Sequence, residues 1–563
     1  MQNLHRLLLI LLLIPTLAFA TAPGKSAVAT AHALATEAGQ QILAMGGNAF
    51  DAAVTVSAVL AVVEPYSSGL GGGGFWLLHR KDGHEVVVDG RETAPGKSYR
   101  DMYLDEKGDI IPGLSMNGPL AAGIPGEPAA LAHISSQYGK LPLSKTLAPA
   151  IWLAREGFEV TPHYRKMAGW RKDALNASPE AAAIFLHERE VPALGQKIRQ
   201  PQLAATLEAL AAEGHNGFYR GEVAQKMVDS VQRAGGIWTL EDLAGYRIIE
   251  RKPLKGIYGD YTITSVPPPS SGGVALISML NMLQQLGFAE ANELERTHLL
   301  VEVMRRAYRD RAHYLGDSDF VDVPVTRLTS PDHAKQLTAN IEPERATPSS
   351  TLPSYGADYS TLGGGNDTTH FSILDREGNY VSATLSINYP FGSGFIAGNS
   401  GVLLNDEMDD FSAKPGVPNA YGLVGAENNA IAPGKRMLSS MSPSFVGGPR
   451  GTAILGTPGG SRIITMVLLG MLEFIDGKGV DGWVVRPRIH HQYLPDTLFY
   501  EPEALNSAEI AELKKLGHHL KQSNSSWGNM QAIFWDQKSG KVEAASDPRV
   551  EGVARVEGAA VVH

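Results

Sequence analysis

The segment that most constrains this chain is a glycine run that leads into Asp-Thr-Thr-His. Residues 363–365 are all glycine, and the stretch TTHFSILD begins soon after them, at Thr368. Alternating residues in TTHFSILD and in YVSATLSIN predict two antiparallel strands, with REGN as a four-residue turn between them. The simplest interpretation is a half-exposed β-hairpin rich in threonine and serine.

The register of this hairpin brings polar side chains to its open end. With REGN as the turn, Asp375 lies opposite Tyr380, and Thr368 lies opposite Ile387. Ser386 and Asn388 would then flank Thr368 on neighbouring positions of the second strand. The hairpin therefore predicts a cluster of two hydroxyls and an amide.

A chain cut before Thr368 would give this cluster a chemical role. Residues 340–366 are rich in Pro, Ser, Thr and Gly and show no periodicity, which predicts a flexible linker. Cleavage at its end would leave Thr368 with a free α-amine, whose ordinary pKa is about 7.7–8.0. Such an amine can act as the base for the hydroxyl of the same residue. The sequence thus allows either an ordinary hairpin or a self-activating threonine nucleophile.

The first twenty residues are predicted to be a signal peptide. Arg6 precedes the short apolar run LLLILLLIPTL, and Ala18-Phe19-Ala20 fits a small-x-small cleavage site. An uncleaved anchor is the alternative. We expect an exported protein, in a periplasm or in the medium, and no other stretch is long and apolar enough for a membrane span.

Charge and cysteine content exclude several function classes. The formal net charge is −10, and no long basic run occurs, so a nucleic-acid partner is not expected. The chain has no cysteine, which excludes disulfides, a thiol nucleophile and thiolate metal ligands.

The remaining pattern mixes helices and strands. Residues 24–65 are predicted to be helical with a break at Gly46-Gly47, and GLGGGGFWLLHR and EVVVDGRE to be buried strands. Residues 120–250 are predicted to be mostly helical, YGDYTITSV to be a strand, and residues 295–317 to be an amphipathic helix. Composition alone indicates an α/β or α+β protein.

No cofactor or metal site is predicted. Residues 69–74 satisfy G-x-G-x-x-G, but they precede a strand, whereas a dinucleotide fingerprint follows one. The pair His490-His491 lacks a further ligand at suitable spacing and is interpreted as structural.

Several long stretches together resemble the γ-glutamyltransferases, also called glutathione hydrolases, over nearly the whole mature chain. They are MGGNAFDAAVTVSAVLAVVEPYSSGLGGGGF, DGRETAP, PPPSSGG, YLGDSDF, NDTTHFSILDREGN, SGVLLNDEMDDFSAKPGVPNAYGLVG, KRMLSSMSPS, GTPGGSRI and ASDPR. The resemblance implies an α+β fold, the four-layer αββα sandwich of the N-terminal nucleophile hydrolases. It also implies a proenzyme that cleaves itself into a large subunit, residues 21–367, and a small subunit, residues 368–563.

The same resemblance implies roles for the threonine cluster. Thr368 would be the nucleophile, with cleavage between Asp367 and Thr368. Ser386 stands where threonine is common and keeps the hydroxyl. Thr369 either assists the nucleophile or is an ordinary strand residue, and both interpretations stay open.

The implied substrates are glutathione and other γ-glutamyl amides, with water, amino acids or dipeptides as acceptors. Their α-carboxylate and α-ammonium need donors on one side and acceptors on the other. Arg91, Ser439 and Ser440 match the family's groups for the carboxylate. Asn388, Glu407 and Asp410 match those for the ammonium, although Glu407 stands where many bacterial members have glutamine.

Two further features complete the implied site. Gly459 and Gly460 match the oxyanion hole, where backbone N–H groups stabilise the charge on the reacting carbonyl. Residues 410–436 form a Pro- and Gly-rich loop without periodicity, which matches the family's lid, and Tyr421 matches its shielding tyrosine.

Two other functions compete with this one. A cephalosporin or glutaryl acylase of the same fold would use the same nucleophile, but its substrate has no α-ammonium and needs no acids at positions 407 and 410. A periplasmic binding protein that keeps the pocket would remain a single uncut chain.

Overall fold

The computed structural model describes residues 22–352 and 367–558. Its strands are Ala27–Thr30 (β1), Gly73–His79 (β2), Glu85–Gly90 (β3), Phe158–Glu159 (β4), Lys197–Ile198 (β5), Ile249–Arg251 (β6), Leu254–Tyr258 (β7), Tyr261–Ser265 (β8), Thr369–Leu374 (β9), Tyr380–Ser386 (β10), Ser444–Gly448 (β11), Gly451–Gly456 (β12), Ile489–His490 (β13), Leu498–Tyr500 (β14), Leu520–Gln522 (β15), Gln531–Trp535 (β16), Val542–Ser546 (β17) and Val553–Val556 (β18).

The α-helices are Ala33–Ala44 (α1), Ala49–Val63 (α2), Glu127–Tyr138 (α3), Leu143–Thr146 (α4), Ala148–Glu156 (α5), Pro162–Trp170 (α6), Lys172–Ala177 (α7), Pro179–Phe185 (α8), Pro201–Glu213 (α9), His215–Tyr219 (α10), Gly221–Arg233 (α11), Leu240–Gly245 (α12), Gly272–Gln285 (α13), Glu293–Tyr314 (α14), Val325–Leu328 (α15), Pro331–Thr338 (α16), Ile463–Ile475 (α17), Val480–Val485 (α18) and Ser507–Lys515 (α19). The strands predicted from GLGGGGFWLLHR, EVVVDGRE and YGDYTITSV and the helices predicted after residue 120 are confirmed.

Two large antiparallel sheets form the centre of the molecule. The first has the order β18-β1-β9-β10-β2-β3-β6, and the second has the order β17-β16-β12-β11-β8-β7. Both sheets combine strands from before and after Thr368: β9, β10 and β18 join the first sheet, and β11, β12, β16 and β17 join β7 and β8 in the second. A chain cut at Thr368 would therefore leave two pieces that share both sheets.

Side-chain alternation along β2 shows how the layers stack. Trp76 and Leu78 pack into the core beneath α1, α2 and α3, whereas Phe75 and Leu77 pack into the core that holds the second sheet with α13, α14 and α17. The two sheets also touch directly, since Ser372 Oγ donates to the Gln531 carbonyl at 3.0 Å. The predicted four-layer αββα arrangement is confirmed.

Part of the predicted N-terminal helix is a strand. Residues Ala27–Thr30 form β1, which lies between β9 and β18 in the first sheet. Four residues are too few for a periodicity to be recognised, and pairing with two distant strands decides their conformation. The helical part begins at Ala33, after the side chain of His32 accepts a hydrogen bond from the Leu34 N–H.

The predicted linker is ordered over its first part. The Thr347 N–H donates to Glu302 Oε1 at 3.0 Å, and the Ser349 N–H donates to Asp496 Oδ2 at 2.7 Å. Residues 340–352 therefore pack against the rest of the protein, and the prediction of a flexible linker is wrong for them. Carboxylates on α14 and in the loop after β13 accept hydrogen bonds from their backbone. Residues 353–366 lie outside the described part.

The hairpin is confirmed, but its predicted register is wrong by one residue. Tyr380 pairs with Leu374, and Leu385 pairs with Thr369. Asp375 belongs to the turn, because its Oδ1 accepts the N–H groups of Glu377 and Asn379. Continuing this register places Ser386 directly opposite Thr368.

Among the described helices, none combines the length and the apolar character that crossing a membrane requires.

Candidate active site

Thr368 occupies a strained position at the start of β9. Its φ is +99°, a value that a β-branched residue rarely adopts. The side chain is 6 % exposed, and its Oγ1 lies 3.1 Å from Ser386 Oγ. The two hydroxyls that the sequence predicted to be neighbours are therefore in contact. The backbone strain lies at the predicted cleavage point.

A small cavity of about 20 Å³ opens beside this hydroxyl. That volume suits about one water molecule. Most of the predicted site residues line the cavity: Arg91, Thr368, Ser386, Asn388, Glu407, Asp410, Tyr421, Ser439, Ser440 and Gly460. Residues from six separate stretches of the chain thus meet beside one hydroxyl.

A buried ion-pair cluster forms the charged end of the cavity. Arg91 Nη1 lies 2.5 Å from Glu407 Oε2, and Nη2 lies 2.5 Å from Asp410 Oδ2. Burial raises the pKa of Glu407 to about 7, and Arg91 opposes that rise. Arg91 directly follows β3, while both acids lie on the single turn Glu407–Asp410, so two rigid elements set the pairing.

Glu92 adds a third buried carboxyl next to Arg91. Its Oε2 lies 3.5 Å from Arg91 Nη1, and within the described residues neither of its oxygens has a hydrogen-bond partner. Burial and the charge of Glu407 hold the pKa of Glu92 well above its usual range. Sequence reasoning missed this residue, because DGRETAP alone does not show that both side chains turn inward.

The two serines are placed by backbone pairing and by a second arginine. Ser271 Oγ donates to the Ser439 carbonyl at 2.7 Å, and the Ser439 N–H donates to the Pro269 carbonyl at 2.8 Å. Arg311, on α14, donates from Nη2 to Ser440 Oγ at 3.3 Å. Arg311 was not predicted; its only sequence signal is an arginine on the buried face of an amphipathic helix.

The glycine pair follows β12 in a conformation that other residues avoid. Gly459 has φ +141° and Gly460 has φ +56°. A Cβ on Gly460 would lie 2.6 Å from the Tyr421 ring. Gly460 lines the cavity, whereas Gly459 is not among its lining residues.

Tyr421 closes the cavity from the lid loop. Its hydroxyl donates to the Asn388 carbonyl at 2.9 Å and lies 3.3 Å from Asp367 Oδ2. Asn388 itself has φ +71° and donates from Nδ2 to the Asp406 carbonyl at 3.0 Å. As predicted, residues 410–436 contain no strand and no α-helix, only the short turn Glu427–Asn429.

Thr369 lies away from the cavity. Its side chain is fully buried, and Oγ1 donates to Glu64 Oε2 at 2.8 Å. Thr369 is therefore not beside the Thr368 hydroxyl. Its partner, Glu64, was not predicted from the sequence.

The histidine pair has protein partners. His490 Nδ1 lies 2.9 Å from Thr465 Oγ1, and His491 Nε2 lies 3.2 Å from Asp496 Oδ1. A different buried group, His298, Glu302 and His518, places possible ligand atoms within 4.8 Å of one another. Arg306 already pairs with Glu302 at 2.5 Å, which weakens the case for a cation there.

Comparison with known proteins agrees with this geometry. A sequence model described as gamma-glutamyltranspeptidase matches residues 35–556. The chain is 42 % identical to a glutathione hydrolase proenzyme of Escherichia coli, covering 93 % of this chain and 90 % of the relative. It is also 42 % identical to one of Pseudomonas aeruginosa, with 96 % of both chains covered.

Solved structures show the same architecture. A cephalosporin acylase from Bacillus halodurans superposes with a TM-score of 0.82 at 27 % identity, covering 95 % of this chain and 96 % of that one. A gamma-glutamyltranspeptidase from Helicobacter pylori has a TM-score of 0.56 at 39 % identity, covering 57 % of this chain and 93 % of that one. By sequence and by fold, the chain belongs to the γ-glutamyltranspeptidase family.

Proposed function

We propose that this protein is a self-cleaving γ-glutamyltransferase and glutathione hydrolase, with Thr368 as its nucleophile. One observation carries the proposal: the Thr368 hydroxyl opens on the same cavity as the buried Arg91 and Glu407 and the partly buried Asp410. A guanidinium and two carboxyl groups that line the same cavity match the α-carboxylate and the α-ammonium of a γ-glutamyl group.

Self-cleavage would begin at the strained residue. The Thr368 hydroxyl attacks the carbonyl carbon of Asp367, the peptide nitrogen becomes the free amine, and water hydrolyses the resulting ester. The φ of +99° supports this step, because breaking the peptide bond releases a conformation that costs about 1–3 kcal/mol. The products would be the large subunit ending at Asp367 and the small subunit beginning at Thr368.

The two subunits would stay together after the cut. β9, β10 and β18 lie among β1, β2, β3 and β6 in the first sheet. Separation would break sheet hydrogen bonds and expose both apolar cores. The predicted large and small subunits are thus proposed to act as one heterodimer.

Substrate binding would exchange partners within the ion-pair cluster. Arg91 turns from the two carboxylates to the α-carboxylate of the substrate, with the hydroxyls of Ser439 and Ser440 as further donors. Glu407, Asp410 and Asn388 then face the α-ammonium. Because each charge already sits among buried groups, the exchange replaces one set of ion pairs by another and leaves no buried charge unpaired.

Turnover would follow the logic of an N-terminal nucleophile. The amine of Thr368 takes the hydroxyl proton, the hydroxyl attacks the γ-carbonyl, and Ser386 Oγ at 3.1 Å orients the attacking oxygen. The backbone of Gly459 and Gly460 would hold the oxyanion; one such donor is typically worth about 3 kcal/mol of barrier. The amine part of the substrate leaves, and water or an amino acid then receives the γ-glutamyl group from the Thr368 ester.

Access to the cavity requires movement of the lid. The described cavity holds about 20 Å³, which is too small for a γ-glutamyl group. Tyr421 links the lid to both Asn388 and Asp367. Release of Asp367 by self-cleavage would remove one of these contacts and let the loop open.

Export is part of the proposal. The signal-like N-terminal stretch supports it, and a periplasmic or secreted enzyme would meet glutathione and peptides outside the cytoplasm.

A glutaryl acylase is the second candidate, because a cephalosporin acylase shares the fold at a TM-score of 0.82. Glu407 and Asp410 argue against it, since a glutaryl group offers no ammonium to these two acids. Comparing glutamyl and glutaryl anilides on the same preparation separates the two. Equal sensitivity of both substrates to Asp410→Asn would favour the acylase.

Intact mass spectrometry tests the central claim. The wild-type protein is expected to give two pieces, with a new amino terminus at Thr368, and Thr368→Ala is expected to remain one chain. A wild-type protein that stays uncut would favour the binding-protein alternative. If Thr368→Ala were cleaved at the same bond, the Thr368 hydroxyl could not be the nucleophile for self-cleavage.

A further inference from the structure

A buried contact lies on the side of β9 away from the cavity. Thr368 contacts Ser386 in the cavity, whereas the next residue, Thr369, begins β9 and is not among the residues that line the cavity. Its Oγ1 donates to Glu64 Oε2 at 2.8 Å, and Thr369 is fully buried while Glu64 is 2 % exposed. The residue next to the nucleophile is therefore anchored to a carboxyl that the catalytic steps above do not use.

Glu64 is itself held on a rigid element. It directly follows α2, in which every residue is buried. Its N–H donates to the Leu60 carbonyl at 2.8 Å, and its own carbonyl accepts from Ser67 and Ser68 at 2.8 and 3.1 Å. The carboxyl is thus a fixed point to which the start of β9 is attached.

The groups around Glu64 keep this carboxyl directed toward Thr369. Tyr66 Oη lies 3.5 Å from Oε1, and the His163 ring packs edge-on against Tyr66 at 5.0 Å. Glu551, which accepts the His163 N–H, adds a second nearby carboxyl. Burial, with Glu551 as a lesser cause, raises the pKa of Glu64 to about 7, while the bond from Thr369 lowers it. An oxygen facing Thr369 can accept from its hydroxyl in either protonation state.

Self-cleavage gives this contact its importance. Once the bond before Thr368 is cut, the nucleophile is the first residue of a chain, and chain ends are poorly ordered unless they are tied down. Its hydroxyl has Ser386 on one side, and its backbone continues into Thr369. Displacing a catalytic group by about 1 Å can lower a rate about 100-fold.

We propose that Glu64 is a positioning residue: through the hydroxyl of Thr369 it holds the start of β9, so that the Thr368 hydroxyl stays beside Ser386 before and after cleavage. This inference rests on the proposed role of Thr368. It also assigns Thr369 a role: its hydroxyl connects the anchor, Glu64, to the start of β9.

Variants at both ends of the contact test the inference. Thr369→Val keeps the side-chain shape and removes the donor, and Glu64→Leu removes the acceptor. Thr369→Ser and Glu64→Gln keep a donor and an acceptor, respectively. Thr55→Val is the matched control, because Thr55 is also a buried threonine, on α2, but its hydroxyl donates to the Thr146 carbonyl at 2.8 Å.

Four quantities are measured for each purified variant: the half-time of self-cleavage by intact mass, kcat and KM with a γ-glutamyl anilide, and the thermal midpoint. Thr369→Val and Glu64→Leu are expected to slow cleavage and lower kcat about 10- to 100-fold, with KM within about twofold. The conservative pair is expected to restore most of both rates, and Thr55→Val to match wild type. If Glu64→Leu folds poorly, the isosteric Thr369→Val decides the question.

Two results would overturn the inference. One is wild-type cleavage and kcat in Thr369→Val. The other is an equal loss in Thr369→Val and Thr55→Val, which would mark a general effect of a lost buried hydroxyl. In both cases, a Thr368→Ala chain that stays uncut would leave the proposed function standing. A Thr368→Ala chain that is cut would count against the proposed function instead.

Discussion

Arg91 and Glu407 form a buried ion pair in the wall of the cavity, with 2.5 Å between Nη1 and Oε2 and with each side chain at most 1 % exposed. The pair lies in the same cavity as the Thr368 hydroxyl. Its geometry leads to the first two predictions.

Arg91→Lys is expected to raise KM for a γ-glutamyl anilide about 10- to 100-fold and to change kcat less. A lysine ammonium cannot bridge two acids or hold a carboxylate bidentately as a guanidinium can. Steady-state kinetics on the cleaved protein measures the effect. The control is Arg100→Lys, which alters a surface pair with Glu427 and should leave both constants unchanged; an unchanged KM in Arg91→Lys would contradict the head-group assignment.

Glu407→Gln is expected to change the pH dependence of KM. The pKa of Glu407 is raised to about 7, so the carboxylate becomes protonated as the pH falls through 7 and loses its attraction for the α-ammonium. KM of the wild-type protein should therefore rise below about pH 7. Glutamine cannot titrate, so this rise should be absent from the variant, and a profile shared by both proteins would show that another group titrates.

Gly460→Ala is expected to lower kcat about 100-fold or more, because a Cβ there would meet the Tyr421 ring at 2.6 Å and displace the backbone that we propose as the oxyanion hole. Gly477→Ala is the matched control: it also has a positive φ, of +90°, but its Cβ would meet nothing within 4 Å. Backbone strain alone should cost each variant about 1–2 kcal/mol of stability, as thermal unfolding would show. Equal kcat in the two variants would argue against a close fit at Gly460.

Tyr421→Phe is expected to raise the share of hydrolysis over transfer about two- to fivefold. The variant loses the hydrogen bond to the Asn388 carbonyl that holds the lid over the cavity, so water enters more readily. Product ratios with a fixed dipeptide acceptor measure this. Tyr138→Phe, which removes a surface hydroxyl bonded to Glu250, serves as the control; an unchanged ratio in Tyr421→Phe would mean that the hydroxyl does not hold the lid.

The hairpin shows where sequence reasoning succeeds and where it fails. Alternation located β9 and β10 correctly, because a two-residue period is visible over six or seven residues. The register was wrong by one, because Asp375 bonds the turn backbone through its side chain and is withdrawn from the strand. Turn chemistry of this kind is local but ambiguous in sequence, since aspartate also occurs at strand ends.

The cavity shows a different limit. Motifs located Arg91, Glu407 and Asp410, but nothing in them shows that the three side chains bond one another in the absence of substrate. Arg311 and Glu64 were missed altogether. Each lies in a helical stretch that reads as an ordinary structural segment, and each becomes significant only through a distant partner, Ser440 or Thr369.

The sequence by itself determined the family, the predicted cleavage point and the identity of the groups around it, because long specific motifs and strand periodicity are properties of neighbouring residues. The tertiary structure alone decided the pairing of β1 with β9 and β18, the docking of residues 340–352 and the contact between Glu64 and Thr369. The physical reason is that these contacts join residues far apart in the chain. Their energies depend on burial and on distances that only the packed sheets establish.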